Sequence, residues 1–334
     1  MLSAHVSRAT RTLALVVAVA LPASAPADAG SFAFVTNQNS SDLSVIDLIE
    51  RREIRRIPVP GKPAGVAISH TTGSFYTVSP DDKTVRRFSI ETCDLIASTT
   101  LPGGPTGIAV DDRSGRLFVS DWYNAGIFVL DSQELAHLGT LQTGSAPAGL
   151  VVSSSGVWLA SADRDAHQVS LFSLTDLALR ATIKVGIRPF GLAEDPQGRL
   201  HVANVGSNDV TVIDPELATV VSSVPVGERP YGVAFAAGRA FVTDQYADTL
   251  SVYDLDSFES VATLDAGEYP EGIDAAQGGE MIVSANWFSN TLSLIDPTAL
   301  KVIAEIETGD GPRAFGRFTL DTAPGDDPCS NGQD

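Results

Sequence analysis

Short apolar, β-branched runs alternate with Gly, Pro, Asn and Asp along most of the chain. Residues 204–232 show the unit: a polar loop, a run from Val210 to Asp214, a turn at Pro215 and a second run from Thr219 to Val226. Runs of this kind, bounded by turn residues, are typical of short sheet strands, and helix signals are absent. The unit closes in a Gly-x-x-Pro-x-Gly corner.

The corner proline recurs at intervals of 40 to 42 residues, which makes the chain a repeat protein. The seven copies are Pro63, Pro105, Pro147, Pro189, Pro230, Pro270 and Pro312. An Asp or Ser stands sixteen residues before each proline, from Asp47 to Asp296, while the other spacings vary. A glycine follows two residues after the proline in six copies, and Ala314 replaces it in the seventh. One hairpin and one corner are therefore held fixed while two connections vary.

Four short strands fit each repeat, which predicts an all-β, seven-bladed β-propeller with four antiparallel strands per blade over residues 30–319. The predicted mature chain begins with a strand of the second type, residues 31–36, and ends with one of the first type, residues 313–319. We therefore expect the C-terminal first strand to join the N-terminal three strands in one blade. Such closure hides the open sheet edges.

The N-terminus reads as a signal peptide, residues 1–29. Arg8 and Arg11 precede an apolar run, residues 13–23, and a small-x-small site places the cut after Ala29. A competing site ends at Ala25, but Pro26 disfavours it. The run is too short for a membrane span. We expect a periplasmic or secreted protein, with no membrane span after cleavage and a C-terminal tail over residues 320–334.

The formal net charge is −19, and loss of the signal peptide makes it one unit more negative. This balance argues against nucleic acid as a partner over a broad surface. Eight of the 22 Lys and Arg residues nevertheless lie between Arg51 and Arg87. They fit either charged outer strands that resist edge pairing or a docking patch for an acidic partner.

The second strands carry a recognisable motif. Phe34-Val35-Thr36-Asn37 and its copies, such as residues 118–121, 201–204 and 241–244, are each followed by a Val-Ile-Asp type strand and the corner. They resemble the YVTN-repeat β-propellers and are similar to the exported YncE-like members, over residues 31–319. The resemblance implies a binding or scaffold protein, although the same frame also carries enzymes. Residues 75–78, residues 158–161 and Ala314 depart from the pattern.

Catalytic and metal-binding motifs are missing from the sequence. The histidines after the signal peptide, His70, His137, His167 and His201, fall in different blades without a metal-ligand spacing. His201 occupies a second-strand position and is expected to pack in the core. Residues 111–115 and 195–198 look like calcium-loop fragments but are expected to be hairpin turns. The sequence thus predicts no catalytic residue, no cofactor and no metal site.

The Asn and Asp residues that end the second strands form another repeated set: Asn37, Asp121, Asn204 and Asp244. A ring of ligands is one interpretation. We prefer the other, in which each side chain caps the backbone of the following loop and recurs because the blade recurs.

One face of the propeller differs from blade to blade. The loops from second to third strands, and from each fourth strand to the next first strand, emerge on this face. They carry aromatic and arginine residues of the kind enriched at binding hot spots. The candidate ligand or partner residues are Trp122, Tyr123, Arg188, Phe190, Arg229, Tyr231, Tyr246, Tyr269, Glu271, Trp287 and Arg313, with Phe288 beside them. We expect Trp122, Arg188, Arg229, Tyr231, Tyr246 and Trp287 to converge near the mouth of the central channel.

The residue after the corner proline divides this face into two parts. It is Ala64, Thr106 and Ala148 in three blades, and Phe190, Tyr231, Glu271 and Arg313 in the other four. Three blades are therefore plain and four are decorated.

Two function classes remain open. The first is a monomeric, exported, non-catalytic binding or scaffold protein that holds a protein or a small ligand on the decorated face. The second is an enzyme, either lactonase-like or lyase-like, or the propeller subunit of a periplasmic redox complex. The lack of a clustered acid–histidine site favours the first, and stoichiometric metal would favour the second.

Cys93 and Cys329 are the two cysteines of a chain with a predicted oxidising destination. Cys93 falls in the turn between the third and fourth strands of the first complete blade. The tail leaves the closing strand on the same face, and the nine residues to Cys329 span at most about 30 Å. The sequence allows a Cys93–Cys329 disulfide that pins the tail, or two free thiols.

Overall fold

The computed structural model describes residues 29–330, so the predicted signal peptide lies outside the described residues except for Ala29. The described chain forms seven sheets of four antiparallel strands. Its first three strands are β1 (Gly30–Asn37), β2 (Asp42–Asp47) and β3 (Arg52–Pro58).

Six blades then follow one another, each built from four consecutive strands. Blade 1 contains β4 (Gly65–Ser69), β5 (Ser74–Ser79), β6 (Thr84–Ser89) and β7 (Leu95–Thr100). Blade 2 contains β8 (Pro105–Asp111), β9 (Arg116–Asp121), β10 (Gly126–Asp131) and β11 (His137–Gln142). Blade 3 contains β12 (Pro147–Val152), β13 (Trp158–Asp163), β14 (Gln168–Ser173) and β15 (Leu179–Lys184).

Blade 4 contains β16 (Pro189–Glu194), β17 (Leu200–Asn204), β18 (Asp209–Asp214) and β19 (Thr219–Pro225). Blade 5 contains β20 (Pro230–Ala236), β21 (Arg239–Asp244), β22 (Thr249–Asp254) and β23 (Ser260–Asp265). Blade 6 contains β24 (Pro270–Ala276), β25 (Met281–Asn286), β26 (Thr291–Asp296) and β27 (Lys301–Glu307). Short 3-10 turns occur at Arg164–Ala166 and Gln277–Gly279.

The last strand, β28 (Thr319–Thr322), pairs with β1 and completes blade 7 in the order β28-β1-β2-β3. The predicted seven-bladed propeller, closed by strands from the two ends, is thus confirmed. Within residues 29–330, no helix has the length and apolar character needed to cross a membrane.

Burial explains the apolar pattern of the strands. Every residue of β5 is buried, because neighbouring blades cover both faces of the inner strands. The outermost strand of the same blade, β7, alternates between exposed and half-buried residues. His201 is fully buried on β17, as predicted, and hydrogen-bonds Asp195 at 2.9 Å and Tyr253 at 2.6 Å.

The invariant Asp or Ser caps the turn between the third and fourth strands. The Asp296 carboxylate accepts the N–H groups of Thr298 at 2.9 Å and Ala299 at 2.8 Å. These two donors lower the pKa of Asp296, since they stabilise its charged form. The fixed spacing between this Asp or Ser and the corner proline therefore corresponds to one capped turn followed by one outer strand.

The extent of the closing strand differs from the prediction of residues 313–319. From the pair Pro312–Asn37 to the pair Thr319–Ala33, the closing segment advances seven residues while β1 advances four. In blade 3 the equivalent pairs, Pro147–Asp163 and Val151–Ala160, advance four against three. The closing segment thus contains two additional residues, and the strand itself begins only at Thr319.

The additional residues displace the corner glycine. A Cβ on Gly107 would lie 2.1 Å from the carbonyl oxygen of Ala148 in the next blade, so this close approach requires glycine. In blade 7, Gly316 (φ 110°) takes that place against the carbonyl oxygen of Val66, at 2.3 Å from a Cβ. This shift accounts for Ala314 at the usual glycine position. It also places Phe315 on the channel, where its N–H donates to the Ala64 carbonyl oxygen at 3.1 Å.

The tail is tied to blade 1. Cys93 and Cys329 form a disulfide across 236 residues, with their Cα atoms 4.9 Å apart. The Cys329 N–H also donates to the Ile90 carbonyl oxygen at 3.0 Å. The chain beyond the closing strand is therefore attached to the bottom of the neighbouring blade.

The basic cluster divides between surface and interior. Arg52, Arg55 and Arg56 are exposed on the outer strand β3, and Arg51 is exposed in the turn before it. This placement agrees with charged outer strands. Arg86 differs, because it is buried on β6 and pairs with Asp82.

Candidate functional site

The loops from second to third strands and from fourth to first strands meet on one face, which we call the top face. Within each blade a corner accepts hydrogen bonds from the adjacent loop. Examples are Tyr246 N–H to the Glu228 carbonyl oxygen at 3.1 Å and Trp287 N–H to the Tyr269 carbonyl oxygen at 2.9 Å. Each large side chain on this face thus stands on a hydrogen-bonded pair of loops.

A cavity of about 280 Å³ opens at the mouth of the central channel on the top face. Five of the predicted residues line it: Trp122, Tyr123, Phe190, Tyr231 and Arg313. The other lining residues are Gln38, Ala64, Pro80, Gly104, Thr106 and Phe315. We call this space the channel-mouth cavity.

Aromatic rings form one wall of the channel-mouth cavity. The ring centroid of Phe190 lies 4.6 Å from that of Tyr231 and 5.0 Å from that of Phe315. Trp122 stands 6.3 Å from Phe190 on the other side. Ala64 and Thr106 also line the cavity, and their small size leaves the space open.

A buried ion pair supports this wall. Glu271 is 1% exposed and binds the Arg313 guanidinium through two hydrogen bonds, Nε–Oε2 at 2.7 Å and Nη2–Oε1 at 3.1 Å. Gln245 donates to the same carboxylate at 2.5 Å. Such a bidentate pair fixes both position and orientation. Glu271 therefore holds Arg313 in place rather than lining the cavity itself.

The Tyr231 hydroxyl is affected by charges of both signs. Burial and the Glu271 carboxylate raise the pKa of the Tyr231 hydroxyl, while the guanidiniums of Arg313, Arg229 and Arg164 act in the opposite direction. The effects of burial and of the carboxylate are the larger ones, so the pKa is raised overall. The hydroxyl remains protonated and available as a hydrogen-bond donor at neutral pH.

Four further predicted residues lie beside the cavity in an aromatic strip. Tyr246, Tyr269, Phe288 and Trp287 form a chain of ring contacts with centroid distances of 5.2, 4.4 and 4.5 Å. Arg229 lies over Tyr246, with its guanidinium carbon 4.1 Å from the ring centroid. Tyr246 and Phe288 are about half exposed.

Arg188 lies apart from both groups. It lines a broad, open depression of about 380 Å³ with Asp165, His167, Ile187 and Gly206. Its backbone N–H donates to the Nδ1 atom of His167 at 3.1 Å. The structure therefore divides the predicted residues among the channel-mouth cavity, the aromatic strip and this depression.

The residues that end the second strands play two different roles. Asp121 caps the following loop as predicted, accepting the Tyr123 N–H at 3.2 Å, and it also accepts the Gly104 N–H of the corner at 2.8 Å. The interpretation is wrong for Asn37 and Asn204, whose amides donate instead to hydroxyls of the third strand, Ser44 at 2.9 Å and Thr211 at 2.8 Å. Asp244 bonds the equivalent hydroxyl, that of Ser251, as an acceptor at 2.7 Å, so amide and carboxylate share this partner with the direction of the hydrogen bond reversed.

Sequence reasoning missed three residues of the site. Phe315 belongs to the closing segment, whose additional residues were not recognised, although Gly316 was a visible sign of them. Arg164 and Gln38 open their loops at the repeat position of Trp122, so aligning the repeats would have shown them. Among the described residues, no group of three or more His, Cys, Asp or Glu side chains is placed to hold a metal ion.

The fold and the channel mouth define a seven-bladed β-propeller with a ligand-sized cavity on one face. A family model for YNCE-like β-propellers matches residues 126–325, more than half of the chain. The chain therefore belongs to the YNCE-like β-propeller family.

Solved structures with the same fold include Kuenenia stuttgartiensis hydrazine synthase, with a TM-score of 0.72 at 15% identity over 79% of this chain and 91% of that one. A functionally unknown protein from Desulfotomaculum acetoxidans gives 0.72 at 15% identity, over 88% and 99% of the two chains. The dihydro-heme d1 dehydrogenase NirN gives 0.64 at 14% identity, over 86% and 74%. These likenesses show the fold alone.

A curated relative matches only a short segment. A PE-PGRS family protein from Mycobacterium tuberculosis is 50% identical over 46 residues, which are 14% of this chain and 10% of that protein. The chain thus spans a small part of this relative's length.

Proposed function

We propose that this protein is an exported, non-catalytic binding protein that holds a small, flat ligand in the channel-mouth cavity. The observation that carries this proposal is the cavity itself, about 280 Å³ and lined by aromatic rings together with small residues. Ligand sites are usually concave, mostly apolar and equipped with a few placed polar groups. The channel mouth is concave and combines aromatic rings with a few placed polar groups, such as the Arg313 guanidinium.

The geometry favours a flat ligand. Phe190 and Phe315 cross in an edge-to-face arrangement, and Tyr231 stacks on Phe315 with a 20° angle between the rings. Phe190 itself is buried, so the half-buried rings of Tyr231 and Phe315 offer most of the stacking surface to a planar molecule, each contact worth about 0.5–1.5 kcal/mol. The cavity is close to the lower end of the usual range for ligand pockets, roughly 300–1,000 Å³, so a ligand of one to three fused rings is expected.

Export supports the same proposal. The predicted signal peptide and the disulfide between Cys93 and Cys329 both suit an oxidising compartment outside the cytoplasm. A disulfide that ties the tail to blade 1 also suits a protein that works beyond the reach of cytoplasmic chaperones.

A cavity-filling variant tests the proposal. Thr106 is one of the small residues that line the cavity. Thr106→Trp should therefore occupy the space that a ligand needs. In a panel of one- to three-ring compounds, measured by equilibrium dialysis and thermal shift, we expect 1:1 binding that Thr106→Trp weakens at least about tenfold.

Thr106→Val is the matched control, since it keeps the volume of the side chain, and it should bind as the unchanged protein does. If Thr106→Trp retains full affinity for every compound that binds, the ligand site lies elsewhere and the proposal is overturned.

A second candidate function is that of a propeller subunit in a redox complex. Hydrazine synthase and a dihydro-heme d1 dehydrogenase share the fold, and this observation favours it. Metal analysis and absorption spectra of protein purified from its own source would decide between the two. Stoichiometric metal, or a coloured cofactor that co-purifies, would favour the redox function.

A further inference from the structure

We infer that the top face of blade 6 is a docking surface for a basic, extended segment of a partner protein, one arginine of which stacks on Phe288 and pairs with Glu268. Neither residue lines the channel-mouth cavity, so this surface is separate from the proposed ligand site. The observations that carry it are the distribution of acids over the corners and the exposure of the rings beside them.

Acidic residues occur at three consecutive corners of the top face. They occupy the position two residues before the corner proline. In four corners this residue is uncharged: Gly61, Gly103, Ser145 and Ile187. In the remaining three it is an acid, and all three acids are exposed: Glu228, Glu268 and Asp310. Such a surface attracts a basic partner, and the net charge of −19 acts in the same direction.

Two of these acids lie beside an exposed aromatic ring. In blade 5 the Tyr246 N–H donates to the Glu228 carbonyl oxygen at 3.1 Å. In blade 6 the Phe288 N–H donates to the Glu268 carbonyl oxygen at the same distance. Tyr246 is 45% exposed and Phe288 is 52% exposed. Each of these blades therefore combines an exposed ring and an exposed acid on adjoining segments of backbone.

The two blades differ in the residue that follows the acid. In blade 5 it is Arg229, whose guanidinium carbon lies 4.1 Å from the centroid of the Tyr246 ring. In blade 6 it is Tyr269, which meets Phe288 edge to face with the ring centroids 4.4 Å apart. Blade 5 thus supplies its own arginine beside the ring and the acid, whereas blade 6 supplies none.

The charge of Glu268 is therefore uncompensated. Within residues 29–330, no hydrogen bond or ion pair involves the Glu268 carboxylate. The top-face segments of this blade and the corner that follows, residues 266–270, 287–290 and 308–311, contain two acids and no Lys or Arg. A cation that approaches Glu268 from outside meets no competing cation of these segments.

The second acid, Asp310, lies at the other end of the rings. The residue after it, Gly311, lies against the Trp287 indole, and a Cβ on this glycine would be 3.0 Å from Nε1. The Trp287 ring is in turn 4.5 Å from the Phe288 ring. An extended segment presents alternate side chains on one side, about 7 Å apart, so several of its basic residues can face these acids.

Arginine is the side chain that suits an exposed ring beside a carboxylate. Its planar guanidinium stacks on an aromatic face and donates to a carboxylate in the same plane, whereas lysine offers a point charge alone. The surface is small, which favours a weak and reversible interaction.

Peptide binding to the oxidised chain without its predicted signal peptide tests this inference. The probes are three seven-residue peptides in which glycine alternates with arginine, with lysine or with citrulline, which has the shape of arginine without its charge. Fluorescence anisotropy at low salt should show saturable binding of the arginine peptide. The lysine peptide should bind about threefold more weakly and the citrulline peptide at least about tenfold more weakly. High salt should weaken the binding.

Glu268→Gln and Phe288→Asn should each weaken binding of the arginine peptide about three- to fivefold. Asparagine occupies the position of Phe288 in blade 7, at Asn39, so the blade accepts it there. Glu228→Gln is the matched control. It removes the same charge from the same repeat position, but Arg229 already accompanies that acid, so the affinity should change by less than about 1.5-fold.

The possible failures are distinct. If the citrulline peptide binds as tightly as the arginine peptide, charge is not recognised and the inferred partner class is wrong. If Glu228→Gln and Glu268→Gln weaken binding alike, the general acidic field attracts the peptide and the arginine position at Phe288 is overturned. If no peptide binds, the docking surface itself is wrong, while Thr106→Trp tests the channel-mouth cavity independently.

Discussion

The plain blades and the decorated blades share one backbone and differ in what they contribute to the channel mouth. In blades 1 to 3 the residue after the corner proline is Ala64, Thr106 or Ala148, and in blades 4 to 7 it is large or charged. The cavity lies against Ala64 and Thr106 of the plain half, and its aromatic lining comes from Phe190, Tyr231 and Phe315 of the other half and from the blade 2 loop that carries Trp122 and Tyr123. A site arises here because a symmetric ring is filled unevenly, and small residues are as necessary to it as aromatic ones.

The largest effect should come from the seam that joins the two halves, between blades 7 and 1. Replacing Cys93 and Cys329 by serine should lower the free energy of unfolding by about 4 kcal/mol, because the disulfide closes a long loop in the unfolded chain. Urea denaturation of the variant and of the oxidised protein measures this difference. Two free thiols per chain in a titration of the denatured, unreduced protein would show that the bond does not form.

The next effect tests the ion pair that stiffens the decorated half. Arg313→Ala leaves the Glu271 carboxylate buried and unpaired, so the free energy of unfolding should fall by about 3 kcal/mol. The double change Glu271→Gln and Arg313→Gln removes both charges and should recover most of the loss. Urea denaturation would contradict this account if the double variant were as unstable as Arg313→Ala.

A pH-dependent effect distinguishes blade 5 from the blades with asparagine at the end of the second strand. Asp244 is fully buried, and burial raises its pKa to about 6. A raised carboxyl pKa means that the folded state keeps a proton that the unfolded state releases. Stability from this group is therefore present below about pH 4 and is lost as the pH rises through about 6.

Asp244→Asn removes the cost of burying a charged carboxylate. Asparagine already fits the same position in blades 4, 6 and 7. We expect the variant to be more stable by about 2 kcal/mol above pH 7 and equal to the unchanged protein near pH 4. Thermal denaturation across this range measures the difference. A gain that is equal at all pH values would rule out the titration of Asp244 as its cause.

The smallest effect on stability is expected at two corner arginines. Arg188 and Arg229 have left-handed backbone (φ 56° and 57°), which costs a residue with a Cβ about 1 kcal/mol and costs glycine nothing. Glycine loses a similar amount of unfolded-state entropy, so Arg188→Gly and Arg229→Gly should each change the unfolding free energy by less than about 0.5 kcal/mol. Urea denaturation measures both changes, and a loss of more than about 1 kcal/mol in either variant would show that its arginine side chain stabilises the corner.

The sequence predicts this molecule well where the repeat holds and poorly where it breaks. The corner proline and the capping Asp or Ser recur at one spacing, so the blade count and the closure of the ring followed from alignment alone. The first strand of blade 7 is the exception, since no second strand follows it to fix its register. The repeat pattern does not reveal the two additional residues of the closing segment, so Phe315 is missing from the predicted site.

The site is harder to predict than the fold. Whether the candidate side chains meet depends on the direction in which each one points, and the type of loop that carries it does not determine this direction. Trp122 and Tyr231 come together in the cavity, whereas Arg188 belongs to the same class of loop and lies in a separate depression. The roles of Asn37 and Asn204 were missed for a related reason. Their third-strand partners are seven residues away in sequence and follow only from the strand register.

The closure of blade 7 also determines when the newly synthesised chain can complete its fold. The Ser31 hydroxyl donates to the Asp321 carboxylate at 2.7 Å across 290 residues, so β1 meets its inner partner only at the end of synthesis. At a synthesis rate of about 5–20 residues per second, the first three strands remain without β28 for roughly fifteen seconds to a minute. During that time Phe32 and Phe34 have no closing strand to cover them. The exposed arginines of β3 lie on the outer edge of the same three strands. Repulsion between these arginines opposes edge-to-edge pairing of two incomplete chains.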